Sequence, residues 1–169
     1  MSYRSTGSFG KRQEYAAISK LLSLGFDVYM TLVDDQQIDC VVRQEKEGKL
    51  RYLDIQIKAR SKTAKYCATF SAMNVRKPRR DFWFLFYSEP LDTYWVIPSL
   101  DLVKLASKNK GGPDGLGKHK GKLTLNLANK NKGGWKPRPK FDNYKNNFDL
   151  LNWDETRGSA EATARVSAR

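Results

Sequence analysis

The apolar positions change period near residue 26. Across "KRQEYAAISKLLSLGF" (11–26), Tyr15, Ile18, Leu21 and Leu22, with Ala17 and Leu24 more loosely, recur at intervals of three and four. That spacing predicts a helix closed by Gly25. The period then falls to two. "DVYMTLV" (27–33) predicts a first strand, "DDQQ" (34–37) a turn, and "IDCVVR" (38–43) a second strand. "QEKEGK" (44–49) predicts a polar hairpin turn into a third strand, "LRYLDIQIKAR" (50–60). In that strand Leu53, Ile55 and Ile57 alternate with Asp54, Gln56 and Lys58. One face is aliphatic, and the other carries an acid, an amide and an amine about 6.5–7 Å apart per step.

Further on, "YCATFSAM" (66–73) predicts a strand, "NVRKPRR" (74–80) a basic link, and "DFWFLFYS" (81–88) and "TYWVIPS" (93–99) two aromatic strands. "SLDLVKLASKNK" (99–110) predicts a helix with Ser99 as its N-cap. A Gly/Lys-rich loop (111–122), a short strand "LTLNL" (123–127), a second basic loop "NKNKGGWKPRPK" (129–140) and a closing helix over 141–153 follow. Residues 1–10 predict a loose lead-in, and the small, polar residues 154–169 a flexible tail. The whole predicts one α/β domain over 1–153, a central mixed sheet flanked by helices, with basic loops at about 106–145.

Composition narrows the function. The 169 residues carry a net charge of +13, and 40% of them are hydrophobic, which suits a folded, strongly basic protein. A polyanionic partner, most simply nucleic acid, fits that charge. An anionic membrane surface is the competing reading, but no basic amphipathic helix supports it, and no apolar run is long enough to span a bilayer. Between 101 and 145 there are 12 Lys or Arg residues against 3 acids. A basic arm that meets phosphates is the favoured reading of that excess, and solvated loops are the bland alternative. The loop at 108–122 has no GxxxxGK[ST] and is not a Walker loop. Cys40 and Cys67 have no CxxC partners, and His119 is the only histidine. A Cys/His zinc site and a histidine-dependent hydrolase are thereby disfavoured, and a reducing, cytoplasmic setting is expected.

The chemistry concentrates at the hairpin of the second and third strands. Pairing of 38–43 with 50–59 brings Asp39 near Gln56 and Lys58. Asp39 offers a carboxylate oxygen, Gln56 an amide oxygen and Ile57 its backbone carbonyl, hard ligands of the kind Mg²⁺ takes in small number. Lys58 stands where it can activate a water or stabilise charge on a phosphate. Glu14, on the first helix, can assist the metal or the water, although alone it is equally an answer to the helix dipole.

The ordered set Glu14, Asp39, Gln56-Ile57-Lys58 resembles the PD-(D/E)XK nuclease superfamily, the restriction-endonuclease-like fold. "GKRQEYAAISKLLSLGFDVY", "IDCVV" and "DIQIKAR" are similar to the core of Holliday-junction resolvases and of intron-associated endonucleases, well over 9–60 and more loosely to about 105. Two positions depart from the pattern. Ile38 stands where a proline often precedes the aspartate, and Gln56 occupies the (D/E) position, giving a D…QxK variant like that of methylation-dependent restriction enzymes. The resemblance implies a Mg²⁺-dependent DNA endonuclease or resolvase-like phosphodiesterase, with Mn²⁺ able to substitute, acting as a homodimer because cutting two strands takes two centres. Arg60, Lys62, Lys77, Arg79, Arg80, Lys118, Lys120 and Lys122 are the expected DNA contacts. A nucleic-acid-binding module that has lost cleavage and an RNA-directed nuclease are the alternatives. The aromatic strands read first as core, and only secondarily as a stacking platform for bases.

Overall fold

Helix α1 spans Tyr3–Ser23 in a computed structural model that describes residues 3–32, 37–75, 77–110 and 119–153. It begins well before the apolar repeat, so the stretch expected as a loose lead-in is largely helical. Once the turns at 11–23 are nucleated, each further residue adds a hydrogen bond at little extra cost. The helix closes as the repeat predicts. Gly25 N–H donates to Leu22 O at 2.9 Å and Phe26 N–H to Leu21 O at 3.2 Å, with Gly25 at φ 85°. This is a Schellman closure, and its left-handed residue suits glycine.

The chain then forms β1 (Asp27–Met30), β2 (Cys40–Lys46) and β3 (Lys49–Arg60) as an antiparallel meander. β2 and β3 stay paired up to Lys46 opposite Lys49. The turn is therefore only Glu47-Gly48, shorter than predicted, with φ of 51° and 73°. Two positive φ angles match the twist of the flanking strands in such a hairpin. β4 (Thr69–Met73) leaves the sheet, and the chain returns as β5 (Phe82–Ser88), parallel to β3, then β6 (Thr93–Pro98). The main sheet has the order β1-β2-β3-β5-β6 and is mixed, as expected.

β5 is buried on both faces. Trp83 and Leu85 join Ala17, Leu21, Val42, Leu53 and Ile55 in the core beneath α1. Phe82, Phe84 and Phe86 face a second core with Phe70, Trp95, Ile97 and Leu125. The aromatic strands are interior packing, not an exposed platform. The second core is roofed by helix α2 (Ser99–Leu105) and a small sheet in which β8 (Leu123–Asn126) lies between β4 and β7 (Ser107–Lys108).

Three local expectations are corrected. Pro98, not Ser99, takes the N-cap position of α2. The Ser99 hydroxyl instead donates to Arg79 O at 2.8 Å and accepts from Arg79 N–H at 2.9 Å. The basic loop at 129–140 is mostly a hairpin, β9 (Ala128–Asn131) with β10 (Gly134–Pro137). The closing helix is two 3-10 turns, Pro139–Tyr144 and Phe148–Leu151. Between them Asn146 sits at φ 50° and is captured by β6. Its N–H donates to Tyr94 O, and its side-chain oxygen accepts from Tyr94 N–H, both at 2.9 Å. Pairing with the sheet edge outcompetes helix continuation there. The tail at 154–169, the loop at 111–118 and most of the turn at 34–37 lie outside the described residues.

Candidate active site

The hairpin register places Cys40 opposite Ile55, and β2 begins there. Asp39 N–H still donates to Ile55 O at 2.9 Å. Beyond that the side chain replaces the backbone. Asp39 Oδ2 accepts the N–H of Ile57 at 2.6 Å, supplying the partner that the missing strand would have given. The carboxylate is thereby fixed against β3 between Gln56 and Lys58. Because a strand residue's N–H and C=O point to the same edge, the Ile57 carbonyl lies on this edge too. Thr31 secures the approach, its hydroxyl donating to Ile38 O at 2.6 Å.

Gln56 is 4% exposed, and its side-chain amide makes no hydrogen bond to another described residue. Its amide atoms are not sealed from solvent but border the cavity, where they are open to a ligand. Gln56, the half-buried Lys58 and Arg60 share one face of β3 and line a cavity of about 490 Å³ bounded by β4. Asp54, two residues back, is held away in an ion pair with Arg79, whose Nε also lies 3.0 Å from Asp81.

Glu14 approaches from α1, half-buried and ion-paired with Lys11 one turn earlier. The Lys11 ammonium is held above its usual pKa, first by its hydrogen bond to Glu14 and also by the charge of Asp39. Burial pushes the Cys40 thiol up to about 12, helped by the negative charges of Asp39 and Glu14. The two carboxylates therefore share one electrostatic neighbourhood around Cys40.

The expected DNA contacts separate into groups. Arg60 and Lys122 line the cavity. Lys62, Lys77, Arg80 and Lys120 are exposed, and Lys62 N–H is tied to Glu89 Oε2 at 2.9 Å. The Arg79 guanidinium is committed to Asp54 and Asp81 and lies 4.8 Å over the Phe82 ring, an internal clamp. Lys118 lies outside the described residues. Sequence reasoning passed over Lys11, Gln37 and Asn74. The first was legible, since it stands three residues before Glu14 on one helix face. The others reach the cavity only through tertiary folding.

Among the described residues no three His, Cys, Asp or Glu converge on one point. The oxygen-only donors of Asp39, Gln56 and the Ile57 carbonyl fit a hard divalent cation that keeps several waters, and do not fit zinc. No protein-family model and no curated protein matches the chain. Among solved structures, the bacterial homing endonuclease I-Ssp6803I matches with a TM-score of 0.58 at 21% identity, over 94% of this chain and 98% of that one. The two chains share a fold. The likeness extends well past residues 9–105, on which the sequence resemblance rests, and so takes in much of the basic C-terminal third. No helix among the described residues is long and apolar enough to cross a membrane.

Proposed function

We propose that this protein is a metal-dependent DNA endonuclease of the PD-(D/E)XK type, with Gln56 in the second acidic position. The observation that carries the reading is the bond from Ile57 N–H to Asp39 Oδ2, which holds a carboxylate on β3 between Gln56 and Lys58. The fold shared with a homing endonuclease supports it, as does the net charge of +13.

In this reading Asp39, the Gln56 amide oxygen and the Ile57 carbonyl hold Mg²⁺ or Mn²⁺, with Glu14 assisting. A bound divalent cation would supply an acidified water and charge neutralisation at the phosphate. The protein's own groups do the rest. Asp39, fixed by its backbone bond, needs no reorganisation when substrate arrives. Lys58 orients the attacking water or donates to a non-bridging phosphate oxygen, where its charge offsets the negative charge that develops as the P–O bond breaks. Gln56 contributes an oxygen without a charge, so metal affinity is lower than a glutamate would give. Two-strand cleavage takes two such centres, and the reading includes a homodimer.

The test is cleavage of supercoiled, branched and single-stranded DNA, with RNA beside them, in Mg²⁺ or Mn²⁺. Lys58→Ala should lower the rate about 10²–10³-fold while leaving fold and DNA binding largely intact. Full activity in EDTA, or in Lys58→Ala, would overturn the assignment. DNA binding without cleavage under every metal would instead mark a binding module that has lost its chemistry.

A further inference from the structure

The cavity beside the Asp39 centre has features that metal binding does not require. Among the described residues its wall carries Lys58, Arg60 and Lys122 and no acid. Neutral donors, Ser71 and Asn74, come from β4 and the residue after it. The Nε of Arg60 is fully buried and has no hydrogen-bond partner, although its guanidinium is steadied 5.5 Å over the Phe70 ring. The wall is also built by a distortion. β4 shifts register between Phe70 and Met73, and Ala72 within the shift sits at φ 60°. A bulge of this kind re-aims side chains, and a non-glycine residue in the left-handed region is tolerated only where the surroundings impose it. A planar guanidinium with an unused N–H, two ammonium groups and two small polar side chains around one hollow make a receptor for a phosphate.

We propose that this cavity seats a backbone phosphate of the bound strand next to the one that is cut, held by Arg60 and Lys122. Arg60 lies two residues beyond Lys58 on the same strand face, about 6.5–7 Å along β3, a separation of the order of one nucleotide step. The cavity thus fixes the register of the strand over the centre, while Asp39 and Gln56 serve the chemistry. The inference rests on the nuclease reading only in taking the anion to be a backbone phosphate.

The test is made on the whole protein in EDTA, with arginine Nε–H resonances followed by ¹⁵N NMR. The 5′-phosphorylated dinucleotide d(pTpT), inorganic phosphate and thymidine are the probes. The Arg60 Nε–H resonance should shift saturably with d(pTpT), more weakly with inorganic phosphate, and not with thymidine. Lys122→Gln, and separately Arg60→Gln, should weaken d(pTpT) at least about tenfold by calorimetry, as expected for a lost charged hydrogen bond. The exposed Lys49→Gln, at the hairpin end of β3, should leave it unchanged. Lys122→Gln carries the test if Arg60→Gln does not fold, because Arg60 packs on Phe70. A stationary Arg60 resonance, or unchanged affinity in Lys122→Gln, overturns the proposal even if DNA is cleaved. Equal affinity for free phosphate and d(pTpT) overturns the assignment to a nucleic-acid strand. A chain that binds d(pTpT) here but never cleaves DNA would sink the nuclease reading and leave the pocket standing.

Discussion

In the proposed reading Asp39 has two roles, partner of the Ile57 N–H and metal ligand, and different substitutions separate them. Asp39→Asn keeps an oxygen to accept the Ile57 N–H and loses the charge, so stability should hold while cleavage falls steeply. Asp39→Ala also strands the Ile57 N–H and should cost about 1–3 kcal/mol of stability, read from denaturant midpoints. Gln56 offers the reverse experiment. A carboxylate at a position 4% exposed and close to Asp39 suffers desolvation and repulsion. Gln56→Glu should therefore melt lower without metal, gain more on adding Mg²⁺ or Mn²⁺, and reach half-maximal cleavage at lower metal concentration. Gln56→Leu removes the oxygen at similar volume and should lose most activity and most of the metal-induced rise in melting temperature. Asp54→Asn disturbs the Arg79 clamp and should affect stability more than cleavage. A lethal Asp54→Asn beside a harmless Gln56→Leu would move the metal back along β3.

At the scale of elements, α1 and the hairpin hold the centre together, and their closures can be tested apart from the chemistry. Gly25 stands at φ 85° with open space around its Cα, so Gly25→Ala meets backbone strain and no clash. It should cost about 1 kcal/mol. If α1 only delivers Glu14, cleavage measured well below the melting temperature should barely change. The contact between α1 and the strands also predicts a pH response. Cys40 ordinarily titrates near 9.0 and is pushed up to about 12 by burial, while Tyr87, ordinarily 10.0, is pushed to about 12 by burial and its bond to Asp92. Both folded-state values are raised. The stability tied to the protonated forms is fully present below about pH 9 and is lost as pH climbs toward 12. Urea midpoints should be flat from pH 7 to about 8.5 and fall above it, and Cys40→Ala should flatten the early part of that fall. An unchanged slope in that variant would mean that Cys40 ionises without cost to the fold.

At the scale of the molecule, the excess of Lys and Arg should show as salt dependence. Each phosphate contact contributes about 0.9 to the slope of log K against log salt. Replacing the exposed Lys120, Lys130 and Lys132 with Ala should flatten that slope by up to three such steps, with little change in sequence preference. An unaltered slope would make those lysines solvated surface. A homodimer should appear by light scattering at micromolar protein, and two-strand breaks should rise with protein concentration more steeply than nicks. A strict monomer that only nicks would remove the dimer and leave the chemistry in place.

The sequence by itself determined the elements whose signals are local. The three- and four-residue spacing through Leu21 and the glycine at 25 dictated α1 and its end, and the alternation Leu53, Ile55, Ile57 dictated β3 and the face carrying Gln56 and Lys58. The unbroken apolar run at 82–87 marked a strand that belongs to the core. Burial and turn geometry act over a few residues there, so the order of residue types carries the information. Tertiary structure decided the rest. Asn146 is drawn to the edge of β6, which no local pattern around 141–153 encodes. Lys130 and Lys132 lie in or beside a hairpin whose strands are short and mostly polar, so no alternation announces its pairing. The cavity joins Arg60 to Asn74 and Lys122, residues brought together by a bulge in β4 and by strands far apart in the chain. Contacts of that kind depend on how two sheets pack, and packing is a property of the folded chain as a whole.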